Sequence, residues 1–116
     1  MDEQTANKLA KEAIKNGNWM IRRSDNGEAY GGFEWKPVGE WTVAPDWNPM
    51  AKCGGGLHGV GPKSLGWWSS GKDIDFCLTK GDIVQIDEEK IKVREAMVIM
   101  RNRLPEGLSV KGKICR

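Results

Sequence analysis

The histidine of this chain, His58, lies in a glycine-rich stretch, Cys53-Gly54-Gly55-Gly56-Leu57-His58-Gly59, and is the only one in the sequence. Histidine titrates near neutral pH without perturbation, and the neighbouring glycines let the backbone approach a ligand closely. His58 is therefore a candidate acid–base or ligand-binding residue. A single histidine without a partner motif more often has a structural role, with its ring hydrogen-bonded to a backbone carbonyl so that the loop is held in place.

A metal site is a second chemical interpretation of the same stretch. Cys53 and His58 lie five residues apart, and Cys77 and Cys115 could complete a tetrahedral set. Zinc ligands usually come in two close pairs, and here the last two are isolated, so we predict no metal and no other cofactor. Cys53 and His58 remain the candidate ligands. Catalysis by the Cys53 thiol would also need an acidic group to orient the histidine, and none lies nearby in the sequence.

Tryptophans surround this stretch and predict a contact surface for another protein. Five of the six lie between Tyr30 and Trp68. Aromatic and cationic side chains dominate the energetics of protein interfaces. The predicted partner-binding residues are Trp47, Lys52, Lys63, Trp67 and Trp68. The same residues could bind nucleic acid by stacking and charge. Seven basic and eight acidic residues are interleaved before His58, however, so no basic stripe forms there and this alternative is not favoured.

The composition is that of one globular domain. The chain has 116 residues, a formal net charge of +2 and three cysteines, an odd count that argues against a secreted disulfide scaffold. No apolar run is long enough for a membrane span, and the acidic start does not resemble a signal peptide. We therefore expect a protein of the cytoplasm with no membrane partner; the sequence does not indicate its oligomeric state.

The predicted fold is α+β, with an N-terminal helix packed on a small twisted, mostly antiparallel sheet and a long loop rich in glycine and tryptophan. The helix is expected over 3–16, where small apolar residues form one stripe. Strands are expected near 19–22, 31–35, 40–43, 74–79, 82–87 and 91–99. The predicted core residues are Phe33, Trp35, Trp41, Ile83, Ile86, Ile91 and Val93.

The segments between these elements are also predicted. Residues 44–62 read as an irregular loop, a short helix is expected from Pro62, and a β-bulge near Arg94 would keep Glu95 from facing inward. The single domain, 1–116, divides into the helical segment 1–18, a core over 30–100 and a basic, solvated tail over 101–116.

Three motifs resemble a small domain family of unknown function that is common in phage and prophage genomes. They are Gly32-Phe33-Glu34-Trp35, the stretch Cys53 to Gly59, and Lys90-Ile91-Lys92-Val93-Arg94-Glu95-Ala96-Met97-Val98. The resemblance covers roughly 30–100. It implies an origin in a mobile element and a location in the host cytoplasm. By analogy with small phage proteins, it implies stoichiometric inhibition of a host protein, such as a defence-system component in the manner of an anti-CRISPR.

A fainter resemblance is to the ADP-ribosyltransferases, in which a histidine holds the nicotinamide ribose and a late glutamate is catalytic. That resemblance would place His58 and Glu95 in these two roles. It implies an enzyme or nucleotide-binding domain as the alternative function, with a cleft for NAD between two sheets.

Overall fold

The structure is a computed structural model that describes residues 1–25, 33–64 and 72–108. One α-helix and five β-strands lie in these ranges, and the strand pairings among them are antiparallel, which confirms the α+β class. The elements are α1 (Glu3–Asn16), β1 (Trp19–Ser24), β2 (Trp41–Val43), β3 (Leu57–Val60), β4 (Asp73–Gln85) and β5 (Lys90–Arg101).

Helix α1 is defined by signals close to it in the sequence. The Asp2 carboxylate accepts a hydrogen bond of 2.7 Å from a backbone N–H of the first turn. At the other end, the Gly17 N–H donates to the carbonyl of Ala13. Ala6, Ala10 and Ala13 are buried on one stripe, so the helix lies close against the strands. The helix confirms the predicted one in both its ends and its buried face.

The strands close into a small barrel. β4 and β5 form a long hairpin, and the other edge of β4 pairs with β1. β1 pairs with β3 at Ile21 and Val60, and β3 pairs with the first residues of β5, which closes the ring. β2 follows β3 along the same edge of β5. The register places His58 of β3 directly opposite Lys92 of β5.

Two apolar clusters stabilise this arrangement. One lies between α1 and the strands, where Trp19 stacks on Phe76 with ring centroids 5.9 Å apart. The other lines the interior of the barrel and consists of Met20, Ala44, Leu57, Cys77, Ile91, Val93, Ala96 and Val98. Each strand of the ring (β1, β3, β4 and β5) contributes to the interior cluster. This core is therefore buried only when the barrel is closed.

The predicted β-bulge occurs, but on the neighbouring strand. Gly81 and Asp82 of β4 together lie opposite the single residue Arg94 of β5. Gly81 has φ 84°, the backbone conformation that a bulge of this type requires at its first position. The extra residue is therefore on β4. Because the bulge shifts the register without ending the strand, the two strands predicted over 74–79 and 82–87 are one strand, β4.

The prediction of an irregular loop over 44–62 is wrong in its second part, because β3 lies within it. This strand has only four residues, and one is Gly59, whose Cα faces the Met20 side chain and the Ile21 carbonyl of β1. A side chain at this position would collide with β1. Gly59 makes the strand difficult to recognise in the sequence. The same glycine lets β1 and β3 pair closely.

Two shorter predictions also differ from the structure. Of the strand predicted over 31–35, the described part forms only an isolated bridge at Glu34. The short helix predicted from Pro62 begins instead as a turn, in which the Ser64 N–H donates to the Gly61 carbonyl at 3.1 Å. The rest of that helix lies outside the described residues.

The predicted core is partly correct. Ile91 and Val93 are fully buried. Trp41 is only half-buried and lies beneath the Lys80 ammonium, whose nitrogen is 4.0 Å from the ring centroid, so its prediction as core is wrong. The remaining predicted core residues are half-buried. Phe33, Trp35 and Ile83 pack on the interior cluster, whereas Ile86 does not belong to it.

The described part of the predicted solvated tail packs back on the domain. Arg101 is still part of β5, and Leu104 and Leu108 pack on the cluster beneath α1. The Arg103 guanidinium donates to the Asn7 side-chain oxygen at 3.0 Å. The prediction of a solvated tail is wrong for residues 101–108, because its two leucines complete the helix-side core.

Candidate functional site

Lys92 is the centre of the candidate site, although it lies on the outer face of a barrel strand. Its side chain is completely buried. The ammonium group donates to the Asn48 side-chain oxygen and to the Gly54 carbonyl, each at 3.0 Å, and lies 5.7 Å from the Trp47 ring centroid. Both acceptors are neutral and belong to residues 46–56, hereafter the 46–56 loop. A buried cation needs such acceptors, so Lys92 fixes the loop on β5.

His58 fixes the same loop from the adjacent strand. Its ring is half-buried, and Nε2 accepts a hydrogen bond of 3.2 Å from the Gly54 N–H. The Gly54 residue is therefore held at both polar groups, the N–H by His58 and the carbonyl by Lys92. The structure differs in one respect from the structural role predicted for His58. The ring accepts a hydrogen bond from a backbone N–H, whereas the prediction had it bonded to a backbone carbonyl. This bond requires an unprotonated Nε2, with the ring proton on Nδ1.

The surroundings of His58 favour its neutral form. Burial lowers the pKa of the imidazole, and the positive charges of Lys92 and Lys90 lower it further, while Asp46 opposes them. A lowered pKa in the folded state means that the neutral ring adds stability above about pH 6.5, and that this stability is lost as the pH falls through the folded-state pKa. The electrostatics thus agree with the hydrogen bond.

Bonds within the 46–56 loop give it a defined shape. The Asn48 N–H donates to the Gly55 carbonyl at 2.9 Å, and the Asn48 side-chain oxygen also accepts from the Met50 N–H at 3.1 Å. Gly55 has φ 68°, and the Asn48 amide fills the space that a side chain at Gly55 would need. Asn48 therefore links the two arms of the loop to each other and to Lys92.

The tip of the loop projects into solvent. Met50 has 58% of its surface exposed, the highest fraction among the large apolar residues that the structure describes. Lys52 and Cys53 are also exposed, and the Lys90 ammonium lies 3.5 Å from the Cys53 sulfur. Methionine is common at protein-binding surfaces because its side chain adapts its shape to a partner. The loop therefore presents an apolar and a cationic side chain on a fixed support.

The structure divides the predicted partner-binding residues between different places. Trp47 is half-buried, with its ring against Gly56 and near Lys92, so it packs at the base of the loop and not at its exposed tip. Lys52 is exposed at the tip. Lys63 is exposed elsewhere, at an open depression that it lines with Gln85, Asp87 and Glu88. Trp67 and Trp68 lie outside the described residues. Sequence reasoning missed Met50 and Lys92.

The candidate catalytic pair is not assembled. Glu95 lies 3.9 Å from the Lys80 ammonium. It is three residues along β5 from Lys92, the register partner of His58, which corresponds to about 10 Å along a strand. The two side chains therefore do not form a hydrogen-bonded acid–base pair, and the accepting nitrogen of His58 is already bonded to Gly54.

The candidate metal ligands are likewise separated. Cys77 is buried in the barrel interior, where burial strongly raises the pKa of its thiol and keeps it protonated. Cys53 is exposed at the loop, and Cys115 lies outside the described residues. Within 1–25, 33–64 and 72–108, no three histidine, cysteine or acidic side chains converge as metal ligands do.

A second charged cluster, which sequence reasoning missed, crosses one end of the barrel. Asp75 is completely buried and accepts hydrogen bonds from Arg101 at 2.7 and 3.2 Å and from Ser24 at 3.2 Å. The Arg22 Nε lies 3.4 Å from the same carboxylate. The Trp35 ring packs on the Arg22 guanidinium, with 4.0 Å between the Cζ atom and the ring centroid. Burial lowers the pKa of Arg22, whereas the hydrogen bond from Arg101 to Asp75 raises that of Arg101. Cross-strand pairing assembles this cluster, which joins β1, β4 and β5.

Comparisons with family models, curated proteins and solved structures gave no significant match. The resemblances to a phage domain family and to the ADP-ribosyltransferases therefore stay predictions. Among the residues that the structure describes, no helix is both long enough and apolar enough to cross a membrane.

Proposed function

We propose that this protein is a small non-enzymatic binding module that acts stoichiometrically on another protein, and that the tip of the 46–56 loop is its contact surface. In keeping with the motif resemblance, the partner is a host protein of a phage or prophage, such as a component of a defence system. The surface consists of Met50 and Lys52 at the tip, to which the predicted Trp67 and Trp68 are added from the sequence.

One observation carries this proposal: His58, the candidate acid–base residue, and Lys92 hold the 46–56 loop in place. Nε2 of His58 and the ammonium of Lys92 bond to the two polar groups of Gly54. A general base or a nucleophile must keep its reactive atom available to a substrate, and these atoms are bonded to the protein's own backbone. Their combined effect is to present Met50 and Lys52 to solvent.

A pre-organised loop is suited to binding. A partner that meets a loop already in its bound shape avoids much of the ordering entropy that a mobile loop would lose. Exposed methionine next to lysine offers one apolar and one charge-assisted contact, and a few such residues supply most of the energy of an interface. Charges of both signs, such as Asp46 within the loop and Asp87 at the same depression as Lys63, favour a protein partner over a nucleic acid.

The proposal predicts that changing the tip abolishes binding without affecting stability. In affinity capture from host lysate, Met50→Ser/Lys52→Glu should reduce recovery of the partner about tenfold or more. The matched control is Val38→Ser/Lys36→Glu, which has the same spacing and also changes an exposed apolar residue and an exposed lysine. The control should recover the partner as the unchanged protein does, and all variants should melt at similar temperatures.

Equal recovery by the tip variant and the unchanged protein would contradict the assignment of the tip as the contact surface. The same capture with Trp67→Ala/Trp68→Ala tests the part of the surface predicted from the sequence alone. If only that variant loses the partner, the binding surface lies at the two tryptophans and not at the 46–56 loop.

A further inference from the structure

The hydrogen bond between His58 and Gly54 depends on the protonation state of the imidazole. Nε2 accepts from the Gly54 N–H at 3.2 Å only through its lone pair. A proton on Nε2 would turn the acceptor into a donor, so two N–H groups would face each other at hydrogen-bonding distance. The pair cannot persist in that geometry, and either the ring or the Gly54 peptide must move.

The charges around the ring make protonation disruptive. Lys92 and Lys90 face the imidazole from β5, and Asp46 faces it from the loop itself, with Cys53 near Lys90. A protonated imidazole would therefore place a positive charge beside two lysines whose charges already disfavour it. Lys92 is completely buried and its ammonium is bonded to the loop, so water screens its repulsion of a charged imidazole only weakly.

We propose that His58 is a pH-sensitive switch for the 46–56 loop, which is held on β5 when the imidazole is neutral and released when it is protonated. Release begins at Gly54, the residue held by both His58 and Lys92. It extends to Asn48 through the hydrogen bond between the Asn48 N–H and the Gly55 carbonyl. The barrel remains folded, because β3 keeps its pairing with β5.

The switch has a consequence for binding, and this consequence rests on the proposed function. If the tip of the loop is the contact surface, mild acid removes the fixed support of Met50 and Lys52. Partner binding should then weaken as the imidazole becomes protonated. This property would restrict the protein's action to neutral surroundings.

Nuclear magnetic resonance of the full-length labelled protein tests the switch in the absence of any partner. Because the chain has one histidine, the ring signals report His58 without ambiguity. Between about pH 7.5 and about pH 5, the Gly54 and Lys52 amides should shift with the same midpoint as the imidazole. Their heteronuclear relaxation should change from rigid to mobile, while amides of β5 stay rigid.

Two variants separate the histidine from other titrating groups. His58→Gln retains a neutral acceptor for the Gly54 N–H at every pH, so the loop should stay rigid in mild acid. Asp46→Asn removes a carboxylate that favours the protonated imidazole, so the transition should move to lower pH. A loop that stays rigid through the imidazole titration, or one that opens equally in His58→Gln, would overturn the switch.

Binding at the two pH values separates the switch from the proposed function. The unchanged protein should lose the captured partner about tenfold or more in mild acid, whereas His58→Gln should retain it. Opening of the loop in the relaxation data with no change in binding would support the switch and overturn the tip as the contact surface. Loss of binding with a rigid loop would overturn the switch alone.

Discussion

Replacing Asp75 by alanine is expected to lower the free energy of unfolding by about 3–5 kcal/mol, the range found when one member of a buried ionic cluster is removed. Asp75 is completely buried and is the carboxylate between Arg22 and Arg101. Its loss leaves two guanidinium groups close together, and one of them has only 3% of its side chain exposed. Denaturant melts monitored by tryptophan fluorescence measure the change.

The matched control for this substitution is Asp82→Ala, which removes the same charge from an exposed position on the same strand. We expect it to change stability far less than Asp75→Ala does. Similar losses in the two variants would show that the arginine cluster does not stabilise the barrel. The cluster would then have to be explained by another role.

Replacing Lys92 by methionine should detach the 46–56 loop and lower the free energy of unfolding by about 1–3 kcal/mol, because the Asn48 side-chain oxygen and the Gly54 carbonyl then lose their charged donor. Methionine keeps the apolar stem of the side chain but not its ammonium, so the loss reports the bonds to Asn48 and Gly54. We expect the amides of 46–56 to become mobile, and binding of a captured partner to weaken with them. The same denaturant melts, together with amide relaxation, measure both effects.

Lys36→Met is the control for this prediction, since Lys36 is exposed and the hydrogen bond from its backbone N–H to the Thr42 hydroxyl does not involve the side chain. It should leave both stability and loop mobility unchanged. If Lys92→Met also leaves the loop rigid, then Asn48 and the glycines suffice to define its shape, and Lys92 is not its anchor.

The parts of the fold that sequence reasoning predicted are those whose signals are local. The α1 boundaries follow from Asp2 before the helix, Gly17 after it and the alanine stripe between them. In contrast, β3 was missed because its four residues gain their stability from β1 and β5, which are far away in the sequence. Local propensity is weak evidence for so short a strand that contains a glycine.

The candidate site was predicted in part for the same reason. His58 is identifiable because it is the only histidine and lies among glycines. Lys92 alternates with the buried Ile91 and Val93, a pattern that predicts a solvent-facing lysine on a half-buried strand. In the folded protein the 46–56 loop lies over Lys92 and buries it. Asp75 was missed for a related reason, since its arginine partners are on other strands and no spacing in the sequence connects them.

The tautomeric state of His58 at about pH 7.5 tests most directly whether this residue holds the loop or performs chemistry. A long-range proton–nitrogen spectrum of the labelled protein reads both ring nitrogens, and a single histidine leaves no ambiguity of assignment. We expect a neutral ring with the proton on Nδ1 and an unprotonated Nε2 that accepts from the Gly54 N–H. A proton on Nε2, or a charged imidazole at this pH, would contradict it.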